Sequence, residues 1–146
     1  MEALTTKEYL GQIRDARRRM NEKQAEINRL RDRLVNITVN LENEHVSSSS
    51  DPDKIGSMIA TILDREAELK EYVDSCMKQE REITALIDSI EKTQLREVLY
   101  WRYVEEMTFE SIAVTCMDIT FRHVLRLHGQ ALKEFEEKYG ALYANI

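Results

Sequence analysis

The chain has 146 residues and a formal net charge of −6 at pH 7, and it contains only four glycines and one proline. So few chain-breaking residues exclude β-sandwiches and β-barrels, which need turn residues about every 8–12 positions. The negative charge argues against indiscriminate nucleic-acid binding, because that binding depends on neutralising phosphates.

Two features of the sequence bear on the cellular location of the protein: the length of its apolar runs and the composition of its first residues. No run approaches the roughly 18 apolar residues of a membrane-spanning helix. The start of the chain lacks the basic residues and apolar stretch of a signal peptide. We therefore expect a cytoplasmic protein, in which Cys76 and Cys116 are reduced thiols.

The first predicted element is one long helix over residues 5–45. Thr5 and Glu8 fit a capping box at its start. Apolar residues then recur every seven positions in two rows, as in a coiled coil, with only Lys23 off the pattern. The rows are Ile13, Met20, Ile27, Leu34 and Leu41, and Tyr9, Ala16, Lys23, Leu30 and Ile37.

A second long helix is predicted after a loop at residues 46–53, which contain a serine run and the only proline. Pro52 suits the first helical position, and Asp51 or Asp53 can cap the helix. The heptad rows of this helix are Ile55, Ile62, Leu69, Cys76, Ile83 and Ile90, and Ile59, Glu66, Val73, Glu80 and Ile87.

Residues 1–93 are therefore predicted to form an antiparallel coiled-coil hairpin. Such a hairpin buries one stripe on each helix, which makes a thin core. We expect this arm to pair with a second copy, giving a homodimer or a higher homo-oligomer.

Residues 94–146 are predicted to form a helix-turn-helix domain. A helix over residues 94–104 leads to a turn, and Thr108 can then cap a short helix over residues 109–116. After a second turn, Thr120 can cap a final amphipathic helix over residues 121–136. A short helix, a tight turn and a capped amphipathic helix are the plan of a DNA-binding helix-turn-helix.

This plan assigns positions to particular side chains. Ala113 must be small because the two helices cross there, while Ile112, Val124, Leu125 and Leu132 are expected to be buried. Arginine suits guanine edges and glutamine suits adenine, and basic side chains also bind phosphates. The candidate DNA-binding residues on the last helix are Thr120, Arg122, His123, Arg126, Gln130 and Lys133.

Three strings support a resemblance to a known family: L-Y-W-R-Y at 99–103, M-T-F-E-S-I-A at 107–113, and R-H-V-L-R-L-H-G-Q-A-L at 122–132. They resemble region 4 of bacterial sigma factors. The chain is more similar still to small sigma-like proteins of phages and prophages of Gram-positive bacteria, grouped with the RinA-type and ArpU-type regulators. The resemblance implies a transcription regulator that binds DNA or associates with RNA polymerase.

The turn before the last helix departs from the sigma pattern in two ways. Glycine is usual there, whereas this chain has Met117 and Asp118, of which Asp118 better tolerates a left-handed backbone. The interval from Ile112 to Val124 is also one residue longer. Both departures predict a reshaped turn.

Two other functions compete with DNA binding. The domain could dock on RNA polymerase or another regulator without stable DNA contact, as the acidic charge favours, or the chain could be a coiled-coil component of a virion. We expect no metal site, because His123 and His128 lie on different helix faces and no further ligand has zinc spacing near Cys116. No catalytic motif occurs, so neither an enzyme nor a cofactor is expected.

Overall fold

The computed structural model describes residues 3–43 and 52–144, and over these residues the chain contains six α-helices and no strand. The helices are α1 (Thr6–Leu10), α2 (Gln12–Asn43), α3 (Pro52–Asp88), α4 (Thr93–Leu99), α5 (Phe109–Ser111) and α6 (Phe121–Tyr139). Wider, π-helical turns continue α4 over Tyr100–Val104 and α5 over Ile112–Met117. Across the described ranges, no helix has the length and apolar character needed to cross a membrane. The predicted all-α class is confirmed.

Contacts divide the chain into two compact units. One unit consists of Met1–Ala16 with Cys76–Ile146, and the other is Arg17–Ser75. Helices α2 and α3 therefore contribute residues to both. The predicted loop at 46–53 and the cap at Asp51 lie largely outside the described residues, but α3 begins at Pro52 as predicted.

The predicted N-terminal cap is present at α1. The Thr5 hydroxyl accepts a hydrogen bond from the Glu8 backbone N–H at 3.2 Å, and the two side chains lie 3.0 Å apart at Thr5 Oγ1 and Glu8 Oε1. The predicted single helix is interrupted at Gly11, where α1 ends and α2 begins. Residues on both sides of this break face the same core, because Leu10 and Ile13 are both buried.

In the unit Arg17–Ser75, α2 and α3 form an antiparallel pair whose seam follows the predicted rows. Lys23, the residue off the heptad pattern, places its ammonium 5.2 Å from the centre of the Tyr72 ring. Glu66 is half-buried and forms an ion pair with Arg31 across the helices. The charged residues in the seam therefore have partners there.

One residue of the predicted seam lies outside it. Ile59 is 44 % exposed, whereas the neighbouring Met58 is half-buried. Met58 lies three residues after Ile55 and four residues before Ile62, which is the alternating three-and-four spacing of a coiled-coil seam. Met58 therefore occupies the seam position that was predicted for Ile59. The expectation that Ile59 belongs to the buried row is thus wrong.

The other unit has a continuous apolar core. The side chain of Phe135 on α6 is fully buried at its centre, beside the stacked rings of Tyr9 and Tyr143, whose centres lie 4.5 Å apart. Helices α1 to α4 and the connection between α3 and α4 surround it with aliphatic side chains. These are Leu10, Ile13, Ile83, Ile87, Ile90, Leu95, Val98 and Leu99.

The connection from α5 to α6 is a tight turn with an unusual helix end. Asp118 adopts the predicted left-handed conformation, with φ 50° and ψ 50°. The N–H of Ile119 then donates to the carbonyl of Ala113, six residues back, at 3.1 Å. A π-helical turn contains one more residue than an α-helical turn of the same span. The widened turn therefore holds one more residue before Asp118 than an α-helical turn would.

The connection from α4 to α5 repeats this arrangement. Glu106 has a positive φ of 55°, and the N–H of Met107 donates to the carbonyl of Trp101, again six residues back, at 2.9 Å. Both connections continue with a threonine cap. The Thr108 hydroxyl accepts from the N–H of Ser111 at 3.1 Å, and the α6 cap has the same geometry.

Candidate nucleic-acid interface

Helix α6 has a buried side that packs on α5. Ile112 and Val124 are fully buried and Ala113 is 2 % exposed, and the three form a small apolar cluster between the helices. Their predicted burial is confirmed. Because Ala113 has a small side chain, α6 can lie close to the end of α5, which fixes the direction in which α6 leaves the turn.

The expectation that Leu125 is buried is wrong, because its side chain is 42 % exposed. Successive residues of an α-helix are rotated by about 100°, so Val124 and Leu125 cannot both face α5. Leu125 instead lies one turn after Phe121, which is 44 % exposed. Leu132 is half-buried against the larger core, in partial agreement with its expected burial.

The two candidate arginines lie on the exposed side of α6. Arg122 and Arg126 are one turn apart and both are exposed. Neither side chain forms an ion pair or a hydrogen bond with any residue of the described ranges. Their guanidinium groups therefore remain available to a partner. Gln130 and Lys133 are also exposed further along the helix.

The remaining two candidates lie at the start of α6 and have different surroundings. The Thr120 hydroxyl accepts a hydrogen bond from the N–H of His123 at 3.1 Å, so Thr120 is the cap of the helix. Its hydroxyl hydrogen can still be donated to a phosphate. His123 is half-buried, in contrast to the exposed Arg122 beside it.

Gly129 belongs to the same surface, although the sequence interpretation did not assign it a role. It is exposed, and a Cβ atom built on it would meet nothing within 4 Å. With 3.6 residues per turn, Gly129 lies within about 60° of Arg122, Arg126 and Lys133, measured around the axis of α6. Glycine weakens a helix interior by about 1 kcal/mol relative to alanine. Its position inside a strongly amphipathic helix was the signal available in the sequence.

His128 occupies the opposite side of α6 and is 7 % exposed. Its Nε2 atom lies 2.8 Å from the Tyr103 hydroxyl. Burial lowers the pKa of His128 from 6.5 to about 4, with further lowering by the charges of Lys7 and Arg102. Burial also raises the pKa of Tyr103 to about 12. Both side chains are consequently neutral at physiological pH.

Neither a metal site nor a similar known protein identifies the function of this surface. Over residues 3–43 and 52–144, no three histidine, cysteine or acidic side chains form a group that could hold a metal ion. Cys76 and Cys116 are free thiols. Comparisons with protein-family models, curated proteins and solved structures find no match.

Proposed function

We propose that the chain is a phage or prophage transcription regulator that binds promoter DNA through a sigma-like helix-turn-helix formed by α5 and α6. The observation that supports this most directly is the exposed pair Arg122 and Arg126. They lie in the first turns of a capped helix, and no described residue neutralises them. The tight turn at Asp118 precedes this helix, as the helix-turn-helix plan requires.

The proposed mechanism is positioning of α6 in the major groove. Arg122 and Arg126 can each donate two parallel hydrogen bonds to a guanine edge, and Gln130 can pair with adenine. Thr120, His123 and Lys133 would contact phosphates or flanking base edges, which fixes the register of the helix on the duplex.

Gly129 fits this mechanism because it has no side chain, so the backbone of α6 at this position can come close to the DNA. A side chain there would project between Arg126 and Lys133, where the proposed mechanism brings the DNA close. The glycine lowers helix stability and fills no internal space, so a close approach from outside explains it better than packing does.

We also propose that the hairpin forms a homodimer through an apolar patch defined by Val35, Val39, Ile59 and Leu63. Their side chains are 58 %, 45 %, 44 % and 59 % exposed, respectively. Val35 follows Arg31 by four residues and Leu63 precedes Glu66 by three, so both flank the Arg31–Glu66 ion pair on one side of the hairpin. A second copy can cover this patch with the identical surface.

Dimerisation would matter for affinity because a chain of net charge −6 has little non-specific attraction for DNA. Two copies of α6 double the contacts and fix a spacing between half-sites.

Selection of bound fragments from the genome that encodes the protein, followed by fluorescence anisotropy on the enriched duplex, tests DNA binding. We expect the double variant Arg122→Ala, Arg126→Ala to weaken specific binding by at least about tenfold, since one bidentate arginine contributes about 1–3 kcal/mol of discrimination. The matched control removes the same charge from exposed positions of α2, as Arg29→Ala, Arg33→Ala. Equal losses in both variants, or no enriched fragment, would contradict the proposal.

A second candidate function is docking on RNA polymerase or another regulator without stable DNA binding. Three exposed apolar residues favour it: Val114 (79 % exposed), Phe121 and Leu125, all close to the start of α6. A pull-down with purified RNA polymerase tests this candidate. It would be favoured over the first if the wild-type chain retains the polymerase, the double variant Val114→Ser, Leu125→Ser does not, and neither chain shifts DNA.

A further inference from the structure

A pocket of about 270 Å³ lies within the unit that contains α6, on the side of α6 opposite Arg122 and Arg126. Its walls come from distant parts of the sequence. Lys7 and Arg14 lie on α1 and the first turn of α2, Arg102 and Tyr103 on the π-helical turn after α4, and His128 on α6.

Positive charge dominates this pocket. Lys7, Arg14 and Arg102 contribute three cations to its wall, against one carboxylate, Glu106. Arg14 is half-exposed and its nearest acid is Asp15, with 3.7 Å between Nε and Oδ1. Within the described ranges Lys7 has no ion pair. Three cations that line one opening with a single carboxylate leave an excess of positive charge, which raises the local concentration of anions.

Arg102 is held in a fixed orientation. Its Nη1 atom donates to the carbonyl of Met107 at 3.1 Å, and its guanidinium carbon lies 4.2 Å from the centre of the Phe109 ring. These contacts use one edge and one face of the guanidinium. A planar fork that is oriented in advance loses less entropy when it binds an anion.

His128 forms a polar part of the wall without adding charge. Its ring packs edge-on to Phe109, with ring centres 4.7 Å apart, and it is nearly inaccessible to solvent. The ring is therefore a fixed hydrogen-bonding and aromatic surface at the base of a cationic opening.

We propose that this pocket binds the phosphate group of a small organic phosphate, with Lys7, Arg14 and Arg102 as its ligands. Arginine and lysine are the side chains that bind phosphate oxygens most strongly. A pocket of about 270 Å³ lies near the lower end of ligand-site volumes, which excludes large ligands and admits a phosphate with a compact organic group. The proposal is independent of DNA binding by α6, since the two sites use different sides of that helix.

Calorimetric titration of the full chain tests the proposal with two probes, inorganic phosphate and adenosine monophosphate, against potassium chloride at matched ionic strength. We expect saturable one-site binding of adenosine monophosphate. Lys7→Gln and Arg14→Gln should each weaken it about tenfold, because each variant removes a charge-assisted hydrogen bond to the phosphate. Both side chains are exposed, so these variants should fold.

Arg29→Gln, at an exposed position of α2 outside the pocket, is the matched control and should leave the affinity unchanged. The variant Arg122→Ala, Arg126→Ala should also bind adenosine monophosphate normally, which separates this test from the test of DNA binding.

Nuclear magnetic resonance of the His128 ring provides a readout inside the pocket. The charged groups that line the pocket with this ring are Lys7, Arg14, Arg102 and Glu106, and of these Lys7 and Arg102 lower its pKa. A bound phosphate adds negative charge beside them and should raise the pKa of His128 by about one unit.

Three results would overturn the proposal. The first is a heat signal that does not saturate, and the second is binding retained by the double variant Lys7→Gln, Arg14→Gln. The third is loss of duplex DNA binding in that double variant together with no binding of either small probe. The phosphate recognised by the pocket would then belong to the DNA backbone.

Discussion

The Tyr103 hydroxyl lies 2.8 Å from the Nε2 atom of His128, and this contact joins the π-helical turn after α4 to the buried side of α6. The two rings are also nearly parallel, with their centres 5.7 Å apart. Because the hydrogen bond is made to a neutral imidazole, the packing of α6 depends on the protonation state of His128.

We predict that the free energy of unfolding decreases as the pH falls from 6.5 towards 4. In the unfolded chain His128 takes up a proton near pH 6.5, whereas in the folded chain its pKa is lowered to about 4. The unfolded state therefore binds more protons in this range, and up to about 3 kcal/mol of stability is lost. Urea unfolding at pH 7, 5.5 and 4.5 measures the loss.

The variant His128→Gln isolates this contribution, because glutamine can still accept a hydrogen bond from Tyr103 but does not titrate. Its pH dependence between pH 6.5 and 4 should be flatter than that of the wild type. Parallel curves for His128→Gln and the wild type would contradict the prediction.

The left-handed conformation at Asp118 predicts opposite effects for two substitutions. With φ at 50°, Asp118→Gly should raise the free energy of unfolding by about 0.5–1 kcal/mol, because glycine adopts this conformation without strain. Asp118→Val should lower it by about 1–2 kcal/mol, because β-branched residues are strained there. Chemical denaturation measures both changes. Asp74→Gly, at an exposed position within α3, is the control and should give no gain.

Substitutions at Gly129 should affect the stability of the fold and the binding of DNA in different ways. Gly129→Ala should stabilise the fold by up to about 1 kcal/mol, since the Cβ atom enters open space in a helix interior. Gly129→Leu should weaken DNA binding at least about tenfold if α6 enters a groove, because the added side chain prevents close approach. Gly56 offers a matched control, since it is an exposed helical glycine in equally open surroundings on α3. Gly56→Leu should leave DNA binding intact, and an equal loss there would contradict the prediction.

The apolar patch on the hairpin predicts the mass of the protein in solution. Light scattering at micromolar concentration should give twice the chain mass of 17.2 kDa for the wild type. Leu63→Lys, at a position that is 59 % exposed, should give the single-chain mass with an unchanged helical circular dichroism spectrum. Val114→Lys, at an exposed position outside the hairpin, should remain dimeric. A wild-type chain that is monomeric would exclude the proposed dimer.

Features encoded by local sequence were predictable. The heptad rows placed the seam of the hairpin, and Thr108 and Thr120 marked the helix starts, because capping and periodicity depend on residues a few positions apart. The prediction for Asp118 came from the resemblance, because glycine is usual at this turn and aspartate tolerates a left-handed backbone better than methionine does. Ile59 and Leu125 show the limit of this reasoning, since an apolar residue at the edge of a stripe can face solvent when its neighbour occupies the packed position.

The cationic pocket could not be predicted from spacing. The pocket forms because the fold brings Lys7 and Arg14 next to Arg102 and His128, which are distant in sequence. A seven-residue repeat predicts which side of a helix is apolar but does not specify which distant helix packs against it. The expected helix-turn-helix gave no reason to predict a ligand on the side of α6 opposite Arg122 and Arg126.

The two connections between α4, α5 and α6 use the same bend twice: an acidic residue with positive φ, one apolar residue, then a threonine cap. Each bend is closed by a hydrogen bond to the carbonyl six residues back, so its direction depends on the register of the helix before it. One residue gained or lost within α5 would rotate that helix end by about 100° and would turn α6 away from its packing on Ile112 and Ala113.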